Sequence, residues 1–401
     1  MSNESLLRGR IVSAALELAD GVVAVDGGVI TFAGPASDFP GNPGPARTDR
    51  ILLPGLVDLH CHGARGSDFA EGSEEGSATA ARYLHTRGTT TLLASVVTGP
   101  QDQTLRTLKV LRSLTDQGLI AGSHLEGPFI SSGQCGAHDP ELLLEPDVDL
   151  AAAMLEAAGP SLASVTLAAE LPGAGKLVDL LTRHGVIPSL GHTAASTAAA
   201  GEFLAQAADG LVLAGSADPA RRLRRPTVTH LFNAMPSLHH RSPGPVSASL
   251  AAASAGKAVV ELIADGVHLA PETVKLVFEL VGAENIALVT DSMAATGLQD
   301  GAYRLGALAV TVRQGVARVD ATGAIAGGTA TLLDIVRSTV SAGVPLQQAI
   351  MSATAVPADV LGQSERIGEL RAGLLADVVV VDQDLNLAKV FRRGKELTAL
   401  N

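Results

Sequence analysis

A chain of 401 residues can bury a large core, and its formal net charge of −12 leaves no cationic surplus for gripping nucleic acid. The one dense basic run, Arg221–Arg225, reads as a solvated loop, and two cysteines (Cys61 and Cys135) exclude a disulfide framework and fit a reducing compartment. With no Trp and two Tyr, stacking platforms are scarce, so any sugar must be held by hydrogen bonds and charge.

In chain order, the opening MSNESLLRGR lacks the basic and apolar regions of an export signal. No stretch of about 18 uncharged apolar residues follows, so neither a membrane span nor a membrane partner is expected and the chain reads as cytoplasmic. Residues 1–53 carry strand-like pieces at Arg10–Ser13, Gly21–Val25 and Val29–Gly34, separated by turns rich in Gly, Pro and Asp. Eight β-rich apolar runs come next: Leu56–Gly63, Thr89–Gly99, Gly118–Phe129, Val165–Leu171, Val186–Thr193, Thr227–Met235, Ala258–His268 and Ile286–Met293. Helical segments rich in Ala and Leu lie between them, among them Ser77–Arg87, Ala151–Ala158, Ala195–Ala208 and Pro271–Val281. The runs are nearly continuous rather than alternating, as parallel strands covered on both faces are. Eight strand–helix units predict an α/β fold with a (β/α)8 TIM-like barrel over 54–356. An open doubly wound sheet is the alternative, but no GxGxxG follows an early strand. Within 54–356, Gly301–Gly328 alternates as a hairpin expected on the barrel's rim. From Ile367 the texture of the N-terminus returns, with strands expected at Val378–Asp382 and Leu387–Phe391. Segments 1–53 and 357–401 are therefore expected to pair as one small β-sandwich domain.

The C-terminal ends of the eight runs carry, in order, His60 with His62, Thr98, Glu126, Glu170, His192, His230 with Asn233, Asp265 with His268, and Asp291. In a barrel these ends open onto one face, where this fold gathers its catalytic groups. In LVDLHCHG, residues i and i+2 of a strand share a face with Cα atoms about 6.6 Å apart, so His60 and His62 can converge on one ion. Imidazole and carboxylate donors suit a divalent ion of borderline softness, with three protein ligands and an open position. Glu126, His192 and His230 make one such set; His60, His62 and Asp291 make a second, with Glu126 placed to bridge. A bound ion would bring the pKa of its water from about 15.7 to about 7, and Asp291 would take the remaining proton and hand it to a leaving group. Taken singly, each residue is explained equally well as a hydrogen-bonded buried His or Asp. Taken together they are not.

HLEGPF at His124–Phe129, GHT at Gly191–Thr193, HLFNAM at His230–Met235, DGVH at Asp265–His268 and TDSM at Thr290–Met293 resemble the N-acetylglucosamine-6-phosphate deacetylase family of the amidohydrolase superfamily. The resemblance runs over essentially the whole chain. PGLVDLHCHG and GELRAGLLADVVVVD are shared across the superfamily, whereas LEGPF and HLFNAM are far more specific. It implies a metal-dependent (β/α)8 hydrolase converting N-acetyl-D-glucosamine 6-phosphate to D-glucosamine 6-phosphate and acetate, in amino-sugar catabolism and cell-wall recycling. Carried over by motif, Glu126, His192 and His230 become the principal metal ligands and Asp291 the catalytic acid/base. Zinc is the expected ion, iron and manganese the alternatives. Some members carry Gln and Asn where His60 and His62 stand and use one ion; the two histidines here allow a second. Asn233 and Ala234 would meet the sugar phosphate through side chain and backbone, Arg241 in HHRSPGP would neutralise it, and His268 would assist. His138 would hydrogen-bond the substrate near its acetyl carbonyl or hydroxyls. As in related enzymes, Arg241 is open to serving a neighbouring subunit's site, within a homodimer or homotetramer.

The superfamily's bridging carboxylated lysine has no counterpart, since the fourth run ends Ala169-Glu170-Leu171. His124 reads as packing behind the ligands, Cys61 as core, Cys135 as an unreactive thiol, and His239 and His240 as ornaments of the phosphate loop. Three other functions compete. A galactosamine-6-phosphate deacetylase would share every motif; a cyclic-amide hydrolase of the superfamily would explain His60 and His62 but not HLFNAM with Arg241; a non-catalytic barrel would have lost ligands.

Overall fold

A computed structural model describes residues 5–47, 49–217 and 224–398. Eight parallel strands, Leu56–Asp58, Thr89–Val97, Gly122–Glu126, Leu162–Leu167, Ile187–Leu190, Thr227–Val228, Val259–Leu262 and Ile286–Leu288, each pair with the next in sequence. Nearly all their residues are buried, which is why the runs look apolar throughout. Helices cover them with one face: in Ala174–Arg183, Leu177, Val178 and Leu181 pack inward while Lys176, Asp179 and Arg183 face out.

No strand ladder joins the last strand to the first. The seam is closed instead by residues just beyond them: Asp291 N–H donates to His60 O (2.8 Å) and His62 N–H to Ser292 O (2.7 Å). Beneath these, Thr290 Oγ1–H donates to Asp58 Oδ2 at 2.6 Å, and the His60 N–H donates to Asp58 Oδ1 at 3.2 Å. Burial pushes the Asp58 carboxyl up to about 6, although the bonds from Thr290 and His60 pull the other way.

The apolar runs outlast the strands. Thr227–Met235 contributes only Thr227–Val228 as strand, and the runs containing His192 and Asp291 end as strand at Leu190 and Leu288. Beyond the strand ends, Leu231, Met235, Val289 and Met293 are buried in the hydrophobic core. Arg221–Leu223 lie outside the described residues, but the reading of Arg221–Arg225 as a solvated loop is corrected for Arg224 and Arg225. Arg224 donates to Gly185 O (2.8 Å) and Leu361 O (2.9 Å), and Arg225 to Asn285 Oδ1 (2.6 Å) and Glu284 O (3.0 Å). Both arginines clamp the floor of the barrel.

Seven strands from both ends of the chain form one hydrogen-bonded sheet, in the order Lys395–Leu397, Leu387–Arg392, Val378–Val381, Ile51–Pro54, Ser5–Val12, Glu17–Asp26, Val29–Pro35. Ile11, Val23, Ile30, Leu52, Val378, Val380 and Phe391 make its buried side. A three-stranded antiparallel sheet, Gly301–Leu305, Leu308–Arg313 and Val316–Val319, stands at the barrel's rim, where Leu305 and the following Ala324, Ile325 and Gly327 reach the central cavity. No described helix is long and apolar enough to cross a membrane.

Candidate active site

The functional side chains sit where the backbone leaves the strands. His192, His230 and Asp291 have φ of 46°, 29° and 47°, left-handed values that cost a non-glycine residue roughly 1–2 kcal/mol each. Phe232 and Ala234, just after His230, share the strain at 79° and 49°. The surroundings hold it: Asn233 N–H donates to His230 O (2.9 Å), and Gly328 N–H to Asp291 O (2.7 Å). Gly327, at φ 77°, lies so close that a Cβ there would come within 2.7 Å of Asp291 O.

Two groups of donors face one another. In the first, Nε2 of His192 and Nε2 of His230 each lie 3.0 Å from Glu126 Oε1, and 3.0 Å from each other. In the second, Nε2 of His60 and Nε2 of His62 are 2.9 Å apart and lie 3.5 and 3.1 Å from Asp291 Oδ1. Glu126 stands between the groups, its Oε1 3.5 Å from His60 Nε2 and its Oε2 3.2 Å from His62 Nε2. Within each group the ligand atoms lie within 4.8 Å of one another. Two imidazole nitrogens at 3 Å repel if both present lone pairs and clash if both carry protons. A shared proton or a cation must lie between them, and a buried set of imidazoles and carboxylates is the donor chemistry a divalent ion prefers.

Electrostatics agree with that reading. Burial alone would lower His60, but Glu126 and Asp291 hold it well above 6.5; His62 is carried up to about 9 against burial by its bonds to Asp291 and Glu126. Glu126 and Asp291 lie well below the ordinary carboxylate range: burial opposes this, and the charge of His60 with the surrounding histidine bonds outweighs it. The carboxylates thus supply a strongly negative field that a divalent ion can replace protons in satisfying.

A cavity of about 250 Å³ opens above the donors. His138, Asn233, Ala234 and His268 line it together with His62, Glu126, His192, His230 and Asp291; Val97, Leu305, Ala324 and Ile325 supply apolar wall. His138 is buried, with Nε2 3.3 Å from Glu126 Oε2; burial, partly offset by Glu126, lowers its pKa to about 4. Its Nδ1 accepts from Thr98 N–H at 3.3 Å, so Nε2 carries the proton and faces Glu126 Oε2 at the lining of the cavity. His268 lies 2.8 Å from Asp265 through Nδ1, and that carboxylate raises its pKa against burial. Arg241 is not among the lining residues: it is exposed, with Nη1 2.9 Å from His240 Nε2.

The remaining candidates fall behind or beside the donors. His124 bridges Ser95 and Thr166 (2.9 and 2.8 Å) beneath His60. Cys61 is buried, its Sγ 3.1 Å from Ser292 Oγ; Cys135 is half-buried. Glu170 bonds Thr193 Oγ1 and accepts from Ala194 N–H at 2.6 Å, bracing the GHT loop rather than joining the donors. Asp58, Glu261 and the Gly327–Gly328 pair escaped sequence reasoning. Glu261 had a usable signal, an acid flanked on both sides by apolar residues within Ala258–Ala264; the glycines had none apart from their adjacency.

A closed parallel barrel with mixed imidazole and carboxylate donors at its C-terminal rim defines an amidohydrolase, and the amidohydrolase family model matches residues 223–397. N-acetylglucosamine-6-phosphate deacetylase of Vibrio furnissii is 33% identical over 349 residues, 86% of this chain and 82% of that protein. N-acetylgalactosamine-6-phosphate deacetylase of Escherichia coli O157:H7 is 32% identical over 354 residues, 87% of this chain and 88% of that protein. A mutant N-acetyl-D-glucosamine-6-phosphate deacetylase of Mycobacterium smegmatis, solved with N-acetyl-D-glucosamine-6-phosphate, superposes with a TM-score of 0.89 at 34% identity, over 98% of this chain and 99% of its own. The chain belongs to the N-acetylglucosamine-6-phosphate deacetylase family.

Proposed function

We propose that this protein hydrolyses the acetamide of N-acetyl-D-glucosamine 6-phosphate, releasing acetate and D-glucosamine 6-phosphate. The observation that carries the reading is the convergence of Glu126, His192, His230, His60, His62 and Asp291 on one buried pocket below a cavity. A divalent ion on Glu126, His192 and His230, with His60, His62 and Asp291 able to take a second, would activate water and polarise the acetyl oxygen. Zinc is the first assignment among the ions.

The chain's own residues do the rest. Asp291, ionised and at the edge of the cavity, takes a proton from the attacking water and returns it to the amine nitrogen as the C–N bond breaks. His138 donates its Nε2–H to the acetyl oxygen, where negative charge develops. Asn233, the Ala234 backbone and His268, which line the same cavity, receive the phosphate. Arg241 lies outside the cavity of its own chain, which supports its service to a second copy's phosphate in a homodimer or homotetramer. Two free cysteines and an internal sugar-phosphate substrate support a cytosolic setting.

Acetate release from N-acetyl-D-glucosamine 6-phosphate and from its galactosamine epimer, before and after chelation and with zinc, iron(II) or manganese(II) restored, tests the reading. Turnover of the first sugar, lost on chelation and regained with metal, is expected. No release from either sugar overturns the activity, and a preference for the galactosamine epimer overturns the substrate.

A further inference from the structure

Strand Val259–Leu262 carries one ionisable residue, Glu261, and it is 4% exposed. A carboxylate inside a barrel wall is costly unless its oxygens are bonded. Its Oε2 lies 3.2 Å from His60 Nδ1 and accepts from the His230 N–H at 3.3 Å. Its backbone carbonyl accepts from Leu231 N–H at 2.9 Å. One residue thus touches a member of each donor group: the side chain of His60 in one and the backbone of His230 in the other.

We propose that Glu261 is a positioning residue that fixes His60 as a ligand and so makes His60, His62 and Asp291 an ion site in its own right. The proposal rests on the reading above that these donors hold divalent metal. An imidazole can present only one nitrogen lone pair when its other nitrogen carries the proton. A carboxylate at Nδ1 takes the Nδ1–H and leaves the Nε2 lone pair aimed at His62, Glu126 and Asp291, and it makes that lone pair a better donor. With an apolar residue at 261, His60 would be free to place its proton on Nε2, where Glu126 and Asp291 would accept it. The ring would then be a hydrogen-bond donor to the carboxylates and no ligand.

The neighbouring histidines show how specific this brace is. Among the described residues, the buried Nδ1 atoms of His62 and His230 have no hydrogen-bond partner. His192 Nδ1 lies 2.8 Å from Gln134 O, a neutral carbonyl. Each donor group therefore contains one histidine oriented from behind, and only the group of His60 is oriented by a carboxylate. Glu261 reaches the other group only through the main chain of His230, so its loss strips the His60 group first.

The test uses full-length protein freed of metal by chelation and then titrated with zinc against a chromophoric competitor, with ions per chain counted after gel filtration. Wild type is expected to hold two ions. Glu261→Ala is expected to weaken the second about 10–100-fold and to emerge with one, its first ion held within a few-fold of wild type. Glu261→Gln, whose amide oxygen accepts the same two N–H groups, should retain two ions with the second several-fold weaker. It carries the test alone if the alanine variant does not fold. The melting temperature of the metal-free variants gives the readout for a merely structural role. Two ions held with wild-type affinity in either variant overturns the proposal, as does an equal loss of both ions accompanied by a fall in metal-free stability. A wild type that binds a single ion also overturns it while sparing the reading of the function; a wild type that binds none overturns both.

Discussion

The two ends of the barrel use the same kinds of side chain in opposite ways. At the N-terminal end, Arg392 donates to Thr90 O (2.9 Å) and Gly118 O (2.7 Å), Arg224 and Arg225 clamp the loops at Gly185, Leu361 and Glu284, and both ring nitrogens of His85 face carbonyls, Thr89 O and Leu119 O, at 2.8 Å. These polar groups are turned onto the scaffold. At the C-terminal end the ionisable groups are turned onto one another, three of them on left-handed backbone. The difference teaches that stability and chemistry are kept at opposite ends of the same strands, so that strain and unsatisfied charge at the rim need not weaken the floor.

The sharpest way to break that contrast is at Asp291. Asp291→Asn should lower kcat about 10²–10⁴-fold, the share that general acid–base catalysis supplies, with KM nearly unchanged. Steady-state acetate release reads it, and near-normal turnover would remove Asp291 from the chemistry. Arg241→Ala should raise KM for the phosphorylated sugar about 10–100-fold, matching the loss of a charge-assisted contact. If the contact crosses subunits, mixed assemblies of Arg241→Ala and Asp291→Asn chains should contain sites with the wild-type KM, which neither variant alone combines with turnover. An equal loss on the unphosphorylated sugar would contradict a phosphate role.

At the floor the expectation reverses. Arg392→Ala should cost about 1–3 kcal/mol of stability, as the Thr90 carbonyl loses this donor and Gly118 O keeps only the longer bond from Arg393 (3.3 Å), with kcat unchanged. Thermal melting beside steady-state kinetics decides it; a fall in kcat without a fall in melting temperature would erase the distinction between the ends. The smallest effect belongs to His85, whose pKa burial and the Arg392 charge push down to about 4. Its ordinary value is about 6.5, so on acidification the unfolded chain takes up the proton first. The stability is fully present above about 6.5 and is lost as the pH falls through 4, roughly 1 kcal/mol of it between pH 7 and 5.5. Melting of wild type and His85→Gln at those two pH values should show the shallower dependence in the variant. Parallel curves would assign the acid sensitivity elsewhere.

The barrel was legible because its strands are buried on both faces and spell continuous apolar runs, each ending on a polar residue. Where the chain leaves the sheet was not: at His192 and His230 the ladder stops two residues earlier, since the turn that presents the imidazole needs left-handed backbone, which leaves no mark on apolar content. The donors themselves could be picked out by residue type and position. Their braces could not, because Asp58 and Glu261 act through bonds to groups that lie more than 190 positions away along the chain, at Thr290 and His60. Arg224 and Arg225 were misread for a related reason. A basic run looks solvated until the carbonyls that receive it are known.

The seam between the last strand and the first has one further consequence. Its bonds run through His60, His62, Thr290 and Asp291 rather than through a regular ladder, so the reactive groups also serve as the latch of the cylinder. Loosening that latch and dispersing the donors are one motion. Amide exchange at Asp291 and His62 should therefore slow when metal is added, while amides of the middle strands, such as Leu125 and Val165, stay as they were.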